Sequence, residues 1–176
     1  MRIIAGTARS LPLKTLVGLD TRPTTDRIKE TLFNMLQHEV PGAYFLDLFA
    51  GSGQIGLEAV SRGAKEVIFA DKDPRSLALT KQNLSSLGIT AKTLRGDYKE
   101  VLKQLGGKQF DVILNDPPYM SGVYEDALDL IKNYNLLADE GIIVCEHEKS
   151  VDIQTTHFAL ADQKRYGIKM VSYYTK

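Results

Sequence analysis

Short apolar segments alternate with helical segments between residues 44 and 146, and this alternation most constrains what the chain can fold into. The apolar segments predict strands at residues 44–49, 66–70, 91–94, 110–114 and 142–146. The segments between them predict helices at residues 55–61, 74–87, 98–105 and 123–133. Strands that alternate with helices at this spacing form a parallel sheet with helices on both faces. The pattern therefore predicts a doubly wound α/β fold.

Both ends of the chain depart from this pattern. Residues 158–165 and 168–174 leave no room for a helix between them, so they predict an antiparallel hairpin at the edge of the sheet. Near the start, apolar side chains on one face predict a helix over residues 24–38. We interpret residues 1–23 as a basic N-terminal extension, either a small hairpin or an ordered arm, and residues 24–176 as one domain.

The composition is that of one folded domain without covalent cross-links. A length of 176 residues suits a single domain. The single cysteine, Cys145, excludes an intrachain disulfide and a zinc site built from several cysteines. No segment approaches the ~20 apolar residues of a membrane-spanning helix, and the first residues lack the pattern of a signal peptide. We therefore expect a monomeric, cytoplasmic protein without a bound metal.

Charge is distributed unevenly along the chain, although the total is zero, with 22 basic and 22 acidic residues. Residues 1–29 carry six basic side chains against two acidic ones, whereas residues 110–160 carry ten acidic side chains against two basic ones. A basic segment on a neutral chain is typical of an arm that binds a polyanion, and the alternative is an ordinary solvated surface. The candidate nucleic-acid contacts are Arg2, Arg9, Arg22 and Arg27.

The glycine-rich sequence LDLFAGSGQIG, residues 46–56, joins the first strand of the alternating region to its helix. Its glycines have the G-x-G-x-x-G spacing of dinucleotide-binding turns, in which backbone atoms approach a ligand closely. The spacing alone fits NAD, S-adenosylmethionine or a turn without a ligand. Asp47 favours S-adenosylmethionine, because a carboxylate repels a pyrophosphate but attracts an ammonium or sulfonium cation. The candidate cofactor contacts in this segment are Asp47, Phe49, Gly51, Ser52 and Gly53.

Acidic residues also follow the next two strands. Asp71 lies where an acidic side chain accepts hydrogen bonds from the two hydroxyls of a ribose, which NAD and S-adenosylmethionine both carry. Asp97 can accept a hydrogen bond from an adenine amino group, with Tyr98 or Leu77 against the ring, and it can equally cap the helix that follows. Asp71, Asp97 and Tyr98 are therefore predicted to contact the nucleoside part of a cofactor.

The sequence Asn115-Asp116-Pro117-Pro118-Tyr119 comes directly after the fourth strand and is the strongest indication of chemistry. The two prolines end the strand and stiffen the turn at the sheet edge where open α/β folds bind ligands. The Asp116 carboxylate and the Pro117 carbonyl can accept the two N–H groups of an exocyclic base amine, and Tyr119 can stack on the base. Asn115 is a candidate cofactor contact, and the candidate catalytic residues are Asp116, Pro117 and Tyr119.

These motifs resemble those of class I S-adenosylmethionine-dependent methyltransferases that methylate amino groups. More narrowly, the chain resembles the bacterial RsmD-type 16S ribosomal RNA guanine-N2 methyltransferase family. The matching segments are RIIAG at residues 2–6, RPTTDR at 22–27, ETLFN at 30–34, the glycine-rich turn and DPPY at 116–119. The RPTTDR and ETLFN segments are the specific part of the resemblance, because the other motifs occur in many methyltransferases.

The resemblance implies a Rossmann-like class I methyltransferase fold with seven strands in the order 3-2-1-4-5-7-6. It implies an enzyme (EC 2.1.1.-) that transfers a methyl group from S-adenosylmethionine to the N2 amine of a guanine in small-subunit ribosomal RNA. Because a chain of this size has little surface for reading RNA sequence, the expected substrate is a ribosomal assembly intermediate. Two alternatives stay open: an adenine-N6 methyltransferase of DNA or RNA, and an NAD-binding Rossmann protein.

Overall fold

The computed structural model describes residues 1–15, 26–118 and 122–176, and in this part of the chain a seven-stranded mixed sheet lies between two layers of helices. The strands are β1 (Tyr44–Asp47), β2 (Glu66–Asp71), β3 (Lys92–Arg95), β4 (Phe110–Asn115), β5 (Leu137–Glu148), β6 (Ala159–Tyr166) and β7 (Lys169–Thr175). The helices are α1 (Asp26–Met35), α2 (Gln54–Ser61), α3 (Pro74–Ser86), α4 (Tyr98–Gln104) and α5 (Val123–Asn133).

The strand order is β3-β2-β1-β4-β5-β7-β6, which confirms the order that the resemblance implies. Strands β1 to β5 are parallel, and β7 is antiparallel to both of its neighbours, β5 and β6. The doubly wound α/β fold and the C-terminal antiparallel hairpin are therefore confirmed. The strand order changes direction between β1 and β4, because β2 and β3 lie on one side of β1 and β4 and β5 lie on the other. Open α/β folds bind ligands at such a point.

One strand differs clearly from its predicted bounds. β5 begins at Leu137 rather than at residue 142. Residues 138–140, Ala-Asp-Glu, are partly or fully exposed, so this part of the strand carries no apolar alternation that a sequence pattern could reveal. Pairing of Leu137 with Phe110 holds this part of the strand, and the register then shifts before Val112 pairs with Ile142.

Local signals account well for the bounds of α3. Asp73 is the N-cap, and its side chain accepts a hydrogen bond from the backbone N–H of Arg75 at 2.8 Å. Pro74 occupies the first helical position, where its missing N–H costs nothing. Gly88 follows the helix with a φ of 65°, a left-handed conformation that glycine adopts without strain.

The sheet separates two hydrophobic cores. On one face, α1, α2 and α3 pack around side chains such as Phe45 and Val112. On the other face, α4 and α5 pack around side chains such as Leu46 and Ile113. Neighbouring residues of a strand thus enter opposite cores, as the pleat requires. Within the residues that the structure describes, no helix is both long and apolar enough to cross a membrane.

Residues 1–15 form an arm that packs on the first core. Arg2 and Pro12 form an antiparallel bridge, so the arm doubles back on itself as a small hairpin. Ile3 and Leu13 are buried among the side chains of that core. The arm is therefore part of the folded domain rather than a separate unit.

A buried carboxylate on α2 anchors this arm. Glu58 is fully buried and accepts hydrogen bonds from the backbone N–H groups of Ile4, at 2.7 Å, and Ala5, at 2.9 Å. Arg62 Nε also donates to Glu58, at 2.8 Å, and the buried Lys29 ammonium lies 3.8 Å from its other oxygen. A buried charge is stable only when it is hydrogen-bonded and paired, so these four partners are what permits Glu58 to lie here.

At Gly6 the arm passes so close to α2 that a side chain does not fit. The backbone N–H of the next residue, Thr7, donates to the carbonyl oxygen of Ser61 at 2.8 Å. A Cβ atom at Gly6 would lie 1.8 Å from that same oxygen. Any other residue at this position would require the arm to move away from the helix.

Gly6→Ala is therefore expected to destabilise the protein more than Gly42→Ala does. Both glycines have a positive φ, 85° and 79°, but a Cβ atom at Gly42 meets nothing within 4 Å. The left-handed conformation alone costs ~1–2 kcal/mol, and the crowding at Gly6 adds ~1–3 kcal/mol. Urea unfolding of the two variants measures the difference. Equal free energies of unfolding would contradict the close packing of the arm on α2.

Candidate active site at the carboxyl edge of the sheet

The glycine-rich turn lies at the carboxyl edge of the sheet, between β1 and α2, as predicted. Gly53 is buried and is the N-cap of α2. A Cβ atom at Gly56 would lie 2.3 Å from Cε1 of Phe69, so this glycine allows α2 to pack closely on β2. A Cβ atom at Gly51 would meet nothing within 4 Å, and both Gly51 and Ser52 are half-buried. The turn therefore leaves its first glycine accessible to a ligand.

Two buried polar side chains of α3 hold the turn from its other side. Thr80 Oγ1 donates a hydrogen bond to the carbonyl of Gly51 at 2.9 Å. Asn83 Nδ2 donates to the carbonyl of Ser52 at 2.9 Å and to that of Lys14 at 3.0 Å, and Asn83 Oδ1 accepts from the Lys14 N–H. Asn83 thus joins the glycine-rich turn to the N-terminal arm.

The sequence motifs did not predict a role for these two residues. The signal that could have found them is a run of polar residues at helical spacing on the inner face of α3, where Ser76, Thr80 and Asn83 are all buried. Buried polar side chains are hydrogen-bonded as a rule, so such a run predicts backbone partners on a neighbouring loop.

Asp71 ends β2 and binds the backbone of the turn directly. Its Oδ2 accepts a hydrogen bond from the N–H of Gly51 at 2.8 Å, and its Oδ1 accepts one from the N–H of Asp73 at 2.8 Å. Each carboxylate oxygen has two lone pairs, and Asp71 is only half-buried, so both oxygens keep one site for a further donor. The predicted contact with a ribose is compatible with this arrangement and stays a prediction.

Asp47 lies at the end of β1 and is almost fully buried, with 1% of its surface exposed. Its Oδ2 accepts a hydrogen bond from the N–H of Gly56 at 3.0 Å, which ties the strand to the first turn of α2. Burial raises the pKa of Asp47 to about 7, and the nearby charge of Asp71 adds to the rise, whereas the hydrogen bond from Gly56 opposes it. The predicted contact of Asp47 with a cofactor cation stays a prediction.

The predicted adenine contacts lie around the start of α4. Asp97 is exposed and caps the helix, and its side chain accepts a hydrogen bond from the N–H of Lys99 at 3.0 Å. The rings of Phe49 and Tyr98 pack with their centroids 5.7 Å apart. The Tyr98 hydroxyl donates to Asp126 at 2.6 Å, and burial together with this carboxylate raises the pKa of the hydroxyl. Capping is thus the observed role of Asp97, and its contact with adenine stays a prediction.

At the end of β4, Asn115 is fully buried and incompletely hydrogen-bonded. Its Nδ2 lies 3.6 Å from the Sγ of Cys145, while its Oδ1 is buried and has no hydrogen-bond partner among the residues that the structure describes. Pro117 is buried and Pro118 is exposed, so the two prolines lead the chain out of the sheet. Tyr119 lies outside the described residues.

Asp116 is half-buried directly after β4. Burial raises its pKa well above the ordinary range, and the carboxylates of Glu146 and Asp47 add to this rise. The Lys169 ammonium acts in the opposite direction. Although these acids act on one another, no group of three or more His, Cys, Asp or Glu side chains among the described residues is arranged to hold a metal ion.

The candidate nucleic-acid contacts lie on the arm and on α1. Arg2, Arg9 and Arg27 are all exposed. Arg2 Nε is 3.3 Å from a carboxylate oxygen of Asp26, so part of its charge is balanced. Arg22 falls outside the described residues. Arg2 on the arm therefore lies beside the start of α1, the helix that carries Arg27.

The raised pKa of Asp47 has a consequence for stability. Between its unfolded value of ~3.9 and its folded value, the folded state holds a proton that the unfolded state has lost. The folded value is about 7. Stability therefore falls as the pH rises through this window, and Asp47→Asn, which does not titrate there, is expected to lessen the fall. Urea unfolding over this pH range provides the measurement, and an identical decline in both proteins would mean that Asp47 is ionised throughout.

Comparisons with known proteins agree with the fold and the motifs. The family model described as Conserved hypothetical protein 95 matches residues 1–175. Ribosomal RNA small subunit methyltransferase D of Haemophilus influenzae is 38% identical over 178 residues, which cover 98% of this chain and 91% of that protein. The Escherichia coli protein of the same name is 38% identical over 151 residues, which cover 84% and 75%.

The solved structure of yhhF from Escherichia coli is similar to this chain over its whole length. It superposes with a TM-score of 0.91 at 34% sequence identity, and the match covers 100% of this chain and 97% of that one. The fold, the family model and the relatives thus give the same assignment. The chain belongs to the family described as Conserved hypothetical protein 95, the RsmD-type methyltransferase family that its motifs resemble.

Proposed function

We propose that this protein transfers a methyl group from S-adenosylmethionine to the exocyclic N2 amine of a guanine in 16S ribosomal RNA. The observation that carries the proposal is the position of Asp116. β4 pairs with β1, and Leu114 lies opposite Asp47, so the half-buried Asp116 follows β4 beside the strand that leads into the glycine-rich turn. An acceptor for amine protons and a turn suited to a cofactor therefore share one edge of the sheet. The names of the two relatives above support ribosomal RNA as the substrate.

The residues at this edge fit S-adenosylmethionine. Gly51 is open to a ligand, and Asp71 keeps two acceptor sites for ribose hydroxyls. The Asn115 Oδ1 is a buried acceptor to which no described residue donates a hydrogen bond. When ionised, Asp47 would supply negative charge for the cationic part, while Asp97 and the paired rings of Phe49 and Tyr98 would border the adenine. When bound, this cofactor supplies a sulfonium methyl carbon that an amine lone pair can attack.

The protein's chemical task is to make a weak nucleophile reactive. The lone pair of an exocyclic base amine is delocalised into the ring, and two acceptors on its N–H groups draw the nitrogen towards tetrahedral geometry. We assign these roles to the Asp116 carboxylate and the Pro117 carbonyl. During transfer the amine nitrogen would gain the methyl carbon and the cofactor would keep the electron pair of the broken carbon–sulfur bond. Asp116 or water would then accept the proton that the methylated amine releases. Positioning and fixed charges supply the rate enhancement.

The substrate must present an unstacked base, because an amine inside a helix cannot reach this edge of the sheet. We propose that Tyr119 stacks on the flipped guanine and that Arg2, Arg9, Arg22 and Arg27 bind RNA phosphates. We also propose that the enzyme acts as a monomer in the cytoplasm, on an assembly intermediate of the small subunit whose bound proteins help to present the base.

Asp116→Ala is expected to lower the rate of methyl transfer by ~10²–10³-fold, on the scale of losing a contact made chiefly in the transition state. Asp116→Asn should be almost as impaired, because an amide keeps one acceptor but no charge. Binding of S-adenosylhomocysteine, measured by calorimetry, should remain close to wild type in both variants. Asp111→Asn is the matched control, because Asp111 lies near the opposite end of β4 and its side chain accepts a hydrogen bond from the backbone N–H of Tyr44.

Asp71→Ala, unlike the Asp116 variants, should weaken the binding of S-adenosylhomocysteine. The expected loss is ~2–3 kcal/mol, the contribution of hydrogen bonds to a charged group. The pair of variants therefore separates the cofactor contact from the amine contact. A folded Asp116→Ala protein that binds cofactor and methylates at the wild-type rate would refute the assignment of Asp116 and the proposed chemistry.

Arg9→Ala combined with Arg22→Ala is expected to weaken RNA binding and to flatten its dependence on salt, because each lost phosphate contact removes about one released counterion. Cofactor binding should not change. Arg165→Ala is a suitable control, since Arg165 is exposed on β6 and donates to the carbonyl of Gly167. Wild-type RNA affinity together with a wild-type salt slope would show that the arm does not bind RNA.

A further inference from the structure

A buried ion pair lies beside Asp116 and has no role in the function proposed so far. Glu146 on β5 and Lys169 on β7 have 5% and 12% of their side chains exposed, and Lys169 Nζ is 3.4 Å from Glu146 Oε1. Neither side chain belongs to the glycine-rich turn or to the DPPY segment. Burying both charges is costly, because each loses its hydration, and apolar side chains of similar volume would often be at least as stable at this depth.

The register of the sheet brings this pair to Asp116. Asn115 on β4 pairs with Cys145 on β5, so the following residues, Asp116 and Glu146, are next to each other and on the opposite face from that pair. Lys169 pairs with Glu148, which lies two residues beyond Glu146 and hence on the same face. The electrostatics agree with this placement, since Glu146 raises the pKa of Asp116 and Lys169 lowers it.

We propose that Glu146 and Lys169 are positioning residues that set the charge of Asp116 during methyl transfer. The inference rests on the proposed function, in which an ionised Asp116 accepts a hydrogen bond from the target amine. Lys169 lowers the pKa of this carboxylate and so favours its ionised form at a site where burial favours the neutral form. Glu146 holds Lys169 in place, and its own negative charge keeps Asp116 basic enough to take up the proton that the methylated amine releases.

Other titratable groups also lie near Asp116 in the described part of the chain. Asp47 on β1 raises its pKa, Cys145 precedes Glu146 on β5, and Glu125 on α5 acts in turn on Cys145. These groups are neutral or negative, whereas Lys169 carries a positive charge. Removing Lys169 should therefore affect Asp116 in the opposite direction to removing Glu146.

The pH dependence of kcat/KM for RNA tests whether Lys169 and Glu146 act on Asp116 in opposite directions. S-adenosylmethionine is kept at saturating concentration, so that cofactor binding does not limit the rate in any variant. Lys169→Met is expected to move the acid limb to higher pH by about 1 unit or more, the usual effect of losing an adjacent opposite charge. Glu146→Gln should move the limb to lower pH. Lys169→Arg, which keeps the charge, should stay close to wild type.

Two further variants keep the test decisive. The Glu146→Gln, Lys169→Met double variant leaves no unpaired buried charge, so it should fold even if a single variant does not, and its limb should lie between those of the two single variants. Lys164→Met is the matched control, because Lys164 is a lysine on β6 with 45% of its side chain exposed, paired with Asp162. Its acid limb should coincide with that of the wild type. Single variants that fold and shift the limb in the same direction, or not at all, would overturn the proposal.

A second readout does not depend on activity. Carbon NMR of aspartate-labelled protein follows the titration of Asp116 directly, with Asp116→Asn used to assign the signal. Opposite shifts of this titration in Lys169→Met and Glu146→Gln would support the inference even if the wild-type protein methylated no RNA, a result that would refute the proposed function alone. An active enzyme whose Asp116 titration is the same in all variants would refute the role of the ion pair and leave the proposed function intact.

Discussion

The turn between β1 and α2 keeps its shape because side chains from neighbouring elements bind its backbone. Asp47 and Asp71 accept hydrogen bonds from the N–H groups of Gly56 and Gly51, and Thr80 and Asn83 donate to the carbonyls of Gly51 and Ser52. These four side chains come from β1, β2 and α3, so the turn can form only when the sheet and its helix layer are in place. Its readiness for a ligand is thus a property of the whole fold.

The same contacts connect the turn to the N-terminal arm. Asn83 binds both Ser52 in the turn and Lys14 at the end of the arm, while Glu58 and Ser61 of α2 bind the backbone of residues 4–8. The segment proposed to bind RNA and the turn proposed to bind the cofactor are therefore attached to the same two helices. This attachment gives the arm a defined position relative to Asp116, as an enzyme needs when it must place one base of a large substrate beside a methyl donor.

The sequence predicts the framework well because local patterns determine it. The alternation of strands and helices, the cap at Asp73 and the glycine at Gly88 are local, and the corresponding elements form as predicted. The early start of β5 was missed because pairing between Leu137 and Phe110 determines it, and no apolar pattern marks residues 138–140.

The candidate site was predicted less completely, for the same reason. The positions of Asp47, Asp71 and Asp116 follow from strand ends, which a sequence pattern shows. Other contacts join residues that are distant in the chain. The partner of Asn83 is 69 residues away, that of Glu58 is 54 away and that of Lys169 is 23 away, so only the fold brings each pair together. The cap at Asp97 shows the converse case, because a local role that the sequence predicted is the one observed.

Identification of the methylated nucleoside tests the proposed methylation of guanine most directly. The substrates are small ribosomal subunits, or their assembly intermediates, from cells that lack this protein. They are incubated with the purified enzyme and S-adenosylmethionine labelled on its methyl group. The RNA is then digested to nucleosides. We predict that the label is recovered as N2-methylguanosine and that heat-denatured protein transfers no label. Recovery of the label as N6-methyladenosine, or no transfer by a protein that binds the cofactor, would contradict it.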